Sequence, residues 1–180
     1  MIVEQTQTWY ALKTYYAQEQ KVGSYLDAKA LSYFIPMRCH HATDVTGKQV
    51  RRCVPAVHNL IFVRKTMEEG ALRNILEACP FTIHVYSHAD DKSRWYEIAD
   101  RDILDLRLIC DNTLAEPLFI TEQEGAIPEG STVRVTHGPL KGLRGRLVRK
   151  KKKYYVLKSF AGLGVMVAVS RWCCAQEAES

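Results

Sequence analysis

The sequence has no apolar run long enough to cross a membrane, which takes about 18 residues or more. Its longest near-apolar stretch, Gly162–Val169, is short and interrupted by glycine. Met1–Thr8 carries Glu4 and several polar side chains, so it lacks the basic start and apolar core of a secretory signal. The expected location is the cytoplasm, with no membrane contact. Cysteine occurs at Cys39, Cys53, Cys79, Cys110, Cys173 and Cys174, with no C-x-x-C pair among them. That spacing argues against a zinc site, and a disulfide framework belongs to shorter secreted chains. Cys39-His40-His41 offers metal donors, but adjacent residues seldom ligate one ion without further spaced ligands. Reduced, partly buried thiols are expected, with no metal and no cofactor. Catalytic signatures are missing as well. There is no nucleophile elbow, phosphate loop or spaced ligand set, and Asp90-Asp91 lies in a charged loop beside Lys92 and Arg94. The chain is not expected to be an enzyme.

The most informative gap is in acidic residues. Residues 131–174 contain none, against 11 lysines and arginines, whereas residues 1–130 hold 14 basic and 18 acidic residues. A net charge of −4 is thus followed by one of +11. Such asymmetry predicts two modules, the second suited to a polyanion or an acidic partner. The rest of the composition, 47% hydrophobic and 25% charged, is that of an ordinary globular chain.

Trp9–Tyr15 is rich in aromatics and predicts an opening strand. Between Gln18 and Leu31, the residues Val22, Tyr25, Leu26, Lys29 and Ala30 recur three to four apart, one stripe of a helix. Tyr33–Met37 predicts a short strand, Ala42–Gln49 an exposed hairpin loop, and Val57–Val63 a strand apolar on both faces. Thr66 and Glu69 have the spacing of a capping box for a second helix with a stripe of Leu72, Ile75, Leu76 and Cys79, stopped by Pro80. Thr82–Tyr86 alternates as a strand, and Asp100 can cap a third helix carrying Ile103, Leu104, Leu106 and Leu108. Residues 121–130 are polar with two glycines and a proline, the composition of a linker. Short strands punctuated by Gly138, Gly142, Gly145, Gly162 and Gly164 then predict a small barrel. The expected organisation is residues 1–120, a linker at 121–130, and residues 131–175.

Gly130-x-x-Val133-Arg134-Val135-x-x-Gly138-Pro139-Leu140-x-Gly142-Leu143-x-Gly145 resembles the KOW motif of NusG-type transcription factors and several ribosomal proteins. Trp9-Tyr10, Phe34-x-Pro36 and Pro55-x-x-x-Asn59-Leu60-Ile61-Phe62-Val63 resemble the NusG N-terminal (NGN) domain. The compact form looks most like the UpxY subfamily, antiterminators of capsular polysaccharide operons. The resemblance implies an α+β protein: an NGN α/β sandwich with an antiparallel or mixed sheet, followed by an SH3-like KOW β-barrel. Where NusG proteins read Phe-Pro-Gly-Tyr or Phe-Pro-Asn-Tyr, this chain has Val57-His58-Asn59-Leu60. It also lacks the His-Thr-Thr run that the RfaH subfamily uses as a second polymerase contact.

The alternation in Val57–Val63 puts Leu60 and Phe62 on one face, and helices stacked on the other would leave them as an open apolar patch. In NusG relatives the matching patch holds the clamp helices of RNA polymerase. Carried over by position, Leu60, Phe62, Ile103 and Tyr86 are the polymerase-binding candidates. Lys150, Lys151, Lys152 and Lys153, followed by Tyr154, could grip phosphates while the ring stacks on a base, or form a merely solvated tip. Phe160 resembles the position with which NusG barrels engage a ribosomal protein (NusE) or the termination factor Rho; it reads equally as barrel core. Nascent RNA and non-template DNA are the nucleic acids in question. The function implied is elongation and antitermination by a monomer. The alternatives are a housekeeping NusG and a ribosome-associated RNA-binding protein. The glycines and Pro139 of the KOW segment, with the branched Val133, Val135, Val165, Val167 and Val169, predict strands that cannot convert to helix, and hence an unmasked polymerase face.

Overall fold

The computed structural model describes residues 7–111, 118–121, 130–160 and 163–177. In chain order its elements are β1 (Thr8–Lys13), α1 (Glu19–Ala28), β2 (Tyr33–Phe34), β3 (Met37–Thr43), β4 (Gln49–Pro55), β5 (Leu60–Arg64), α2 (Glu69–Glu77), β6 (His84–Val85), β7 (Glu97–Ala99), α3 (Asp100–Asp111), β8 (Leu118–Thr121), β9 (Thr132–Val135), β10 (Arg144–Lys150), β11 (Lys153–Phe160), β12 (Leu163–Val169), a 3₁₀ turn (Arg171–Cys173) and β13 (Cys174–Gln176). No helix of the described residues is long and apolar enough to cross a membrane.

Two compact units result. One takes in residues up to Met37 together with Pro55–Ile103; the other combines Arg38–Val54 with residues from Leu104 onward. Their extents differ from the expected 1–120 and 131–175: the β3–β4 ribbon and most of α3 group with the C-terminal sheet. The expected linker, apart from Thr121 and Gly130, lies outside the described residues.

In the first unit β1 is central, with the order β2-β5-β1-β6 and β7 also paired to β1, all antiparallel. Alternation along β1 and β5 sends Tyr10, Leu12, Ile61 and Val63 to one face. There they form a core with Val22 and Leu26 of α1 and Leu72 and Leu76 of α2. Gly23 sits in that packing because a Cβ would come within 2.9 Å of the Tyr33 ring. This outweighs the roughly 1 kcal/mol that glycine costs inside a helix. The capping box at Thr66 is not formed. Helix α2 starts at Glu69 behind Glu68, which makes no side-chain cap. Glu69 instead reaches the Tyr10 hydroxyl at 3.2 Å and Arg73 at 3.0 Å. The Asp100 carboxylate accepts from the indole N–H of Trp9, 2.7 Å away. On α3 the buried stripe is Ile103, Leu106, Ile109 and Cys110, while Leu104 faces solvent; this is the i, i+3, i+6 spacing of one helical face.

The second unit holds the β3–β4 ribbon and an antiparallel sheet ordered β13-β9-β10-β11-β12-β8. Strands form where the glycine-punctuated valines predicted them, and β8 and β13 extend the sheet at its ends. Among the described residues the pairings run from β13 to β8 with none joining the two end strands. The motif glycines divide by task. Gly138 and Gly142 take φ of +84° and +97°, which an L side chain adopts only at a cost of roughly 1–2 kcal/mol. Gly145 instead lets β11 come close: a Cβ there would lie 2.5 Å from the Leu157 carbonyl oxygen. Backbone cannot yield as a flexible side chain can. Gly145→Ala is therefore expected to cost about 2–3 kcal/mol or more, against about 1 for Gly142→Ala, a ranking that urea denaturation midpoints would check.

Candidate functional site

The first unit does not present the open apolar face expected of β5. Leu60 and Phe62 are only 4% and 1% exposed, and Ile103 is 1% exposed. Helices α1 and α2 cover the Tyr10 side, and on the side shared by Trp9, Ala11 and Phe62 the Trp9 indole donates to Asp100 at the start of α3. Phe34, the cross-strand neighbour of Phe62, stacks on it with ring centres 6.2 Å apart.

Among the described residues of this unit the exposed aromatics include Tyr16, Tyr86 and Tyr96. Tyr86 is 37% exposed, and its amide donates to the Ala11 carbonyl at 2.9 Å. Burial of the rest of the ring, with Tyr15 nearby, raises its phenol pKa above the ordinary value. Tyr15 meets His84 edge-on at 5.5 Å and receives the Lys13 ammonium 5.4 Å from its ring centre. Tyr16 stands free in solvent. The loop bearing these tyrosines is pinned by Asn59, which adopts φ of +61°. The Asn59 carbonyl accepts from the Thr14 amide at 2.9 Å, its side-chain oxygen accepts from the Ala17 amide at 3.1 Å, and its own amide donates to the buried Glu19 carboxylate. Asparagine suits this position because it tolerates the left-handed region. On the other side of the sheet, Lys65 pairs with Glu97 at 3.1 Å beside the Tyr10 ring. Its hydrogen bonds to Tyr10 and Glu97 raise its pKa, and the arrangement ties β1, β5 and β7 together.

The second unit concentrates positive charge at two hairpins. The β10–β11 hairpin turns through Lys151 and Lys152, both at positive φ (47° and 64°), with Lys150 facing Lys153 and Arg149 facing Tyr154. Asn-Gly is the usual occupant of such a turn. Lysines there accept backbone strain, and like charges directly opposite repel. Among the described residues none of Lys150–Lys153 is ion-paired, whereas Arg134 and Arg144 share Glu177, at 3.5 and 3.2 Å, and Lys158 meets Asp105 at 2.9 Å. The Arg149 guanidinium lies over the Tyr154 ring, 5.5 Å from its centre. The other basic element, the β3–β4 ribbon, carries Arg38, Lys48, Arg51 and Arg52 with His40 and His41. Its single acid, Asp44, is occupied in the turn. Bonds from the Thr46 hydroxyl and the Lys48 and Thr46 amides hold its carboxyl below the usual range.

Phe160, read either as a partner contact or as core, is buried at 2% exposure. Trp172 is an open aromatic of this unit, 77% exposed and 6.3 Å from the His137 ring. Not all six cysteines are reduced: Cys39 and Cys53 are joined in a disulfide across the ribbon, which also withdraws Cys39 from any metal set. Sequence reasoning missed the ribbon's charge because its arginines are spread over two strands and merge only when these pair.

Comparison with known proteins gives one result that bears on identity. Residues 7–107 match the family model described as "Transcription termination factor nusG". No curated protein matches the chain. The matched span runs from β1 to the middle of α3 and contains the whole first sheet, the pinned tyrosine loop and the β3–β4 ribbon. It covers more than half of the sequence: the chain belongs to the NusG family.

Proposed function

We propose that this protein is a transcription elongation and antitermination factor that binds RNA polymerase through residues 7–107 and acts without catalysis. Its role is to suppress pausing or termination at polysaccharide operons, the reading that the UpxY resemblance supports. The observation that carries the reading is the family match, since NusG-family members bind RNA polymerase. Of the residues assigned to the polymerase by resemblance, Tyr86 has an open ring, and Tyr15, His84 and Lys13 extend it into an amphipathic rim. Leu60 and Phe62 of β5 and Ile103 of α3 lie buried. In the second unit, the strained, like-charged Lys150–Lys153 tip is the element suited to nucleic acid, because a polyanion relieves the repulsion that the fold imposes.

In a reconstituted transcription assay, the full-length chain is expected to lower pausing on a capsule-type leader more than on a generic template. Equal effects on both would make it a housekeeping factor, and no effect together with no co-purification of polymerase would sink the reading. Tyr86→Ala is expected to weaken polymerase binding about tenfold, as loss of a partly desolvated aromatic anchor does. Its melting temperature should be unchanged, which separates a contact from a packing role.

A further inference from the structure

The Cys39–Cys53 pair takes no part in the function proposed above. Its position follows from the register of the ribbon. The Asp44 amide donates to the Lys48 carbonyl at 2.9 Å, and the Gln49 side chain donates to the Thr43 hydroxyl at 3.0 Å. Asp44 thus faces Lys48, Thr43 faces Gln49, and outward in the same register Cys39 faces Cys53. Antiparallel pairs alternate between hydrogen-bonded and non-hydrogen-bonded, and side chains approach most closely at the second kind. Asp44–Lys48 is of the first kind and Thr43–Gln49 of the second. Cys39–Cys53, an even number of steps beyond Thr43–Gln49, is therefore also of the second kind, with its Cα atoms 4.0 Å apart.

We propose that Cys39 and Cys53 form a reversible two-electron oxidation site, a dithiol–disulfide pair that locks the exposed basic ribbon. Cys53 is exposed and Cys39 half-buried, so Cys53 is the sulfur an external reagent meets first. Arg51 lies two residues from Cys53 on the same face of its strand. With hydrogen peroxide as oxidant, the Cys53 thiolate attacks one peroxide oxygen. The O–O bond breaks, hydroxide leaves and takes up a proton as water, and a sulfenic acid remains. The Cys39 thiolate then attacks the Cys53 sulfur, forming the S–S bond and expelling hydroxide, which becomes a second water. Two thiols and one peroxide thus yield one disulfide and two waters. A thiol reductant reverses the step through a mixed disulfide on Cys53, from which a second thiol of the reductant frees the protein. Cys110 offers a contrast within the same unit: buried, its thiol is pushed up to about 12 and stays protonated.

The lock matters because a two-stranded ribbon is marginal in water by itself, and most residues between the two cysteines are exposed. The bond keeps the strands paired, and with them the relative positions of Lys48, Arg51 and Arg52. This inference is independent of the transcriptional reading.

The test equilibrates the full-length protein in glutathione buffers from reducing to oxidising, traps free thiols with iodoacetamide and maps the peptides. A Cys39–Cys53 linked peptide that appears and disappears reversibly is the expected result, with trapped thiols falling from six to four. Trypsin cleavage of the native protein after Arg51 and Arg52 should be about tenfold slower in the oxidised form, since cleavage tracks the open population. Cys39→Ser and Cys53→Ser should be cut at the fast rate in both buffers. Should the serine variants misfold, the unmutated protein in the two buffers decides the matter alone. Absence of the linked peptide in the most oxidising buffer, or pairing of either residue with Cys79, Cys173 or Cys174, would overturn the site. Equal cleavage rates in the two redox states would overturn the lock.

Discussion

Phe62→Glu is expected to unfold the first unit rather than strip it of a binding surface. The ring is buried in the middle strands of the sheet, facing Ala11 on one side and stacked on Phe34 on the other. Truncating a buried phenylalanine costs about 3–5 kcal/mol, and an unpaired carboxylate in its place adds several more. Together these rival the roughly 5–15 kcal/mol that holds a typical domain folded. Leu60→Glu should behave in the same way, whereas Tyr86→Ala should not. Near-ultraviolet circular dichroism and thermal melting would show it, with loss of fixed aromatic signal and of a cooperative transition. A variant that melts within about 2 °C of the parent yet fails to bind polymerase would mean that Phe62 stands open in solution. The expectation drawn from the sequence alone would then be restored.

The second large effect concerns the tip of the β10–β11 hairpin. Replacing Lys150–Lys153 by glutamine should lower affinity of the full chain for single-stranded RNA about 100-fold at moderate salt, and flatten the dependence of log K on log salt by about three. Stability should move the other way or not at all, because removing four like charges from a tight turn removes their mutual repulsion. Opposite signs for binding and stability would mark residues kept for function at some expense to the fold. Filter binding across a salt series, paired with thermal melts of the same two proteins, tests both halves. An unchanged slope would mean that the lysines are only solvated.

These two sites show different limits of reading a sequence. The lysine run was legible because it is local: five consecutive basic residues, Arg149–Lys153, end one strand and begin the next, and a hairpin tip is the natural place for them. The KOW-like glycines were legible for the same reason, since a turn at positive φ or a close strand approach imposes itself on the residue at that position. Gly142 and Gly145 satisfy one demand each. Alternation along β5 correctly put Leu60 and Phe62 on one face and Ile61 and Val63 on the other. Period-two patterning tells which residues share a face.

Whether that face is covered was a tertiary matter. Phe62, 1% exposed and stacked on Phe34, is covered by groups that alternation along β5 does not name. Asp100, expected to cap α3, receives the Trp9 indole N–H from the other end of the unit's sequence. Glu69 was diverted from its capping box by Tyr10 and Arg73. The cysteines follow the same rule. Spacing along the chain suggested no pairing, yet antiparallel register brings Cys39 opposite Cys53. By itself the sequence determined the three helices, the central strands β1 and β5, the basic C-terminal segment and the family, because these arise from neighbours along the chain. Only the tertiary structure decided what is buried, which polar side chain bonds to which, and which aromatics remain open. Those outcomes depend on the register and packing of segments that the chain order keeps apart.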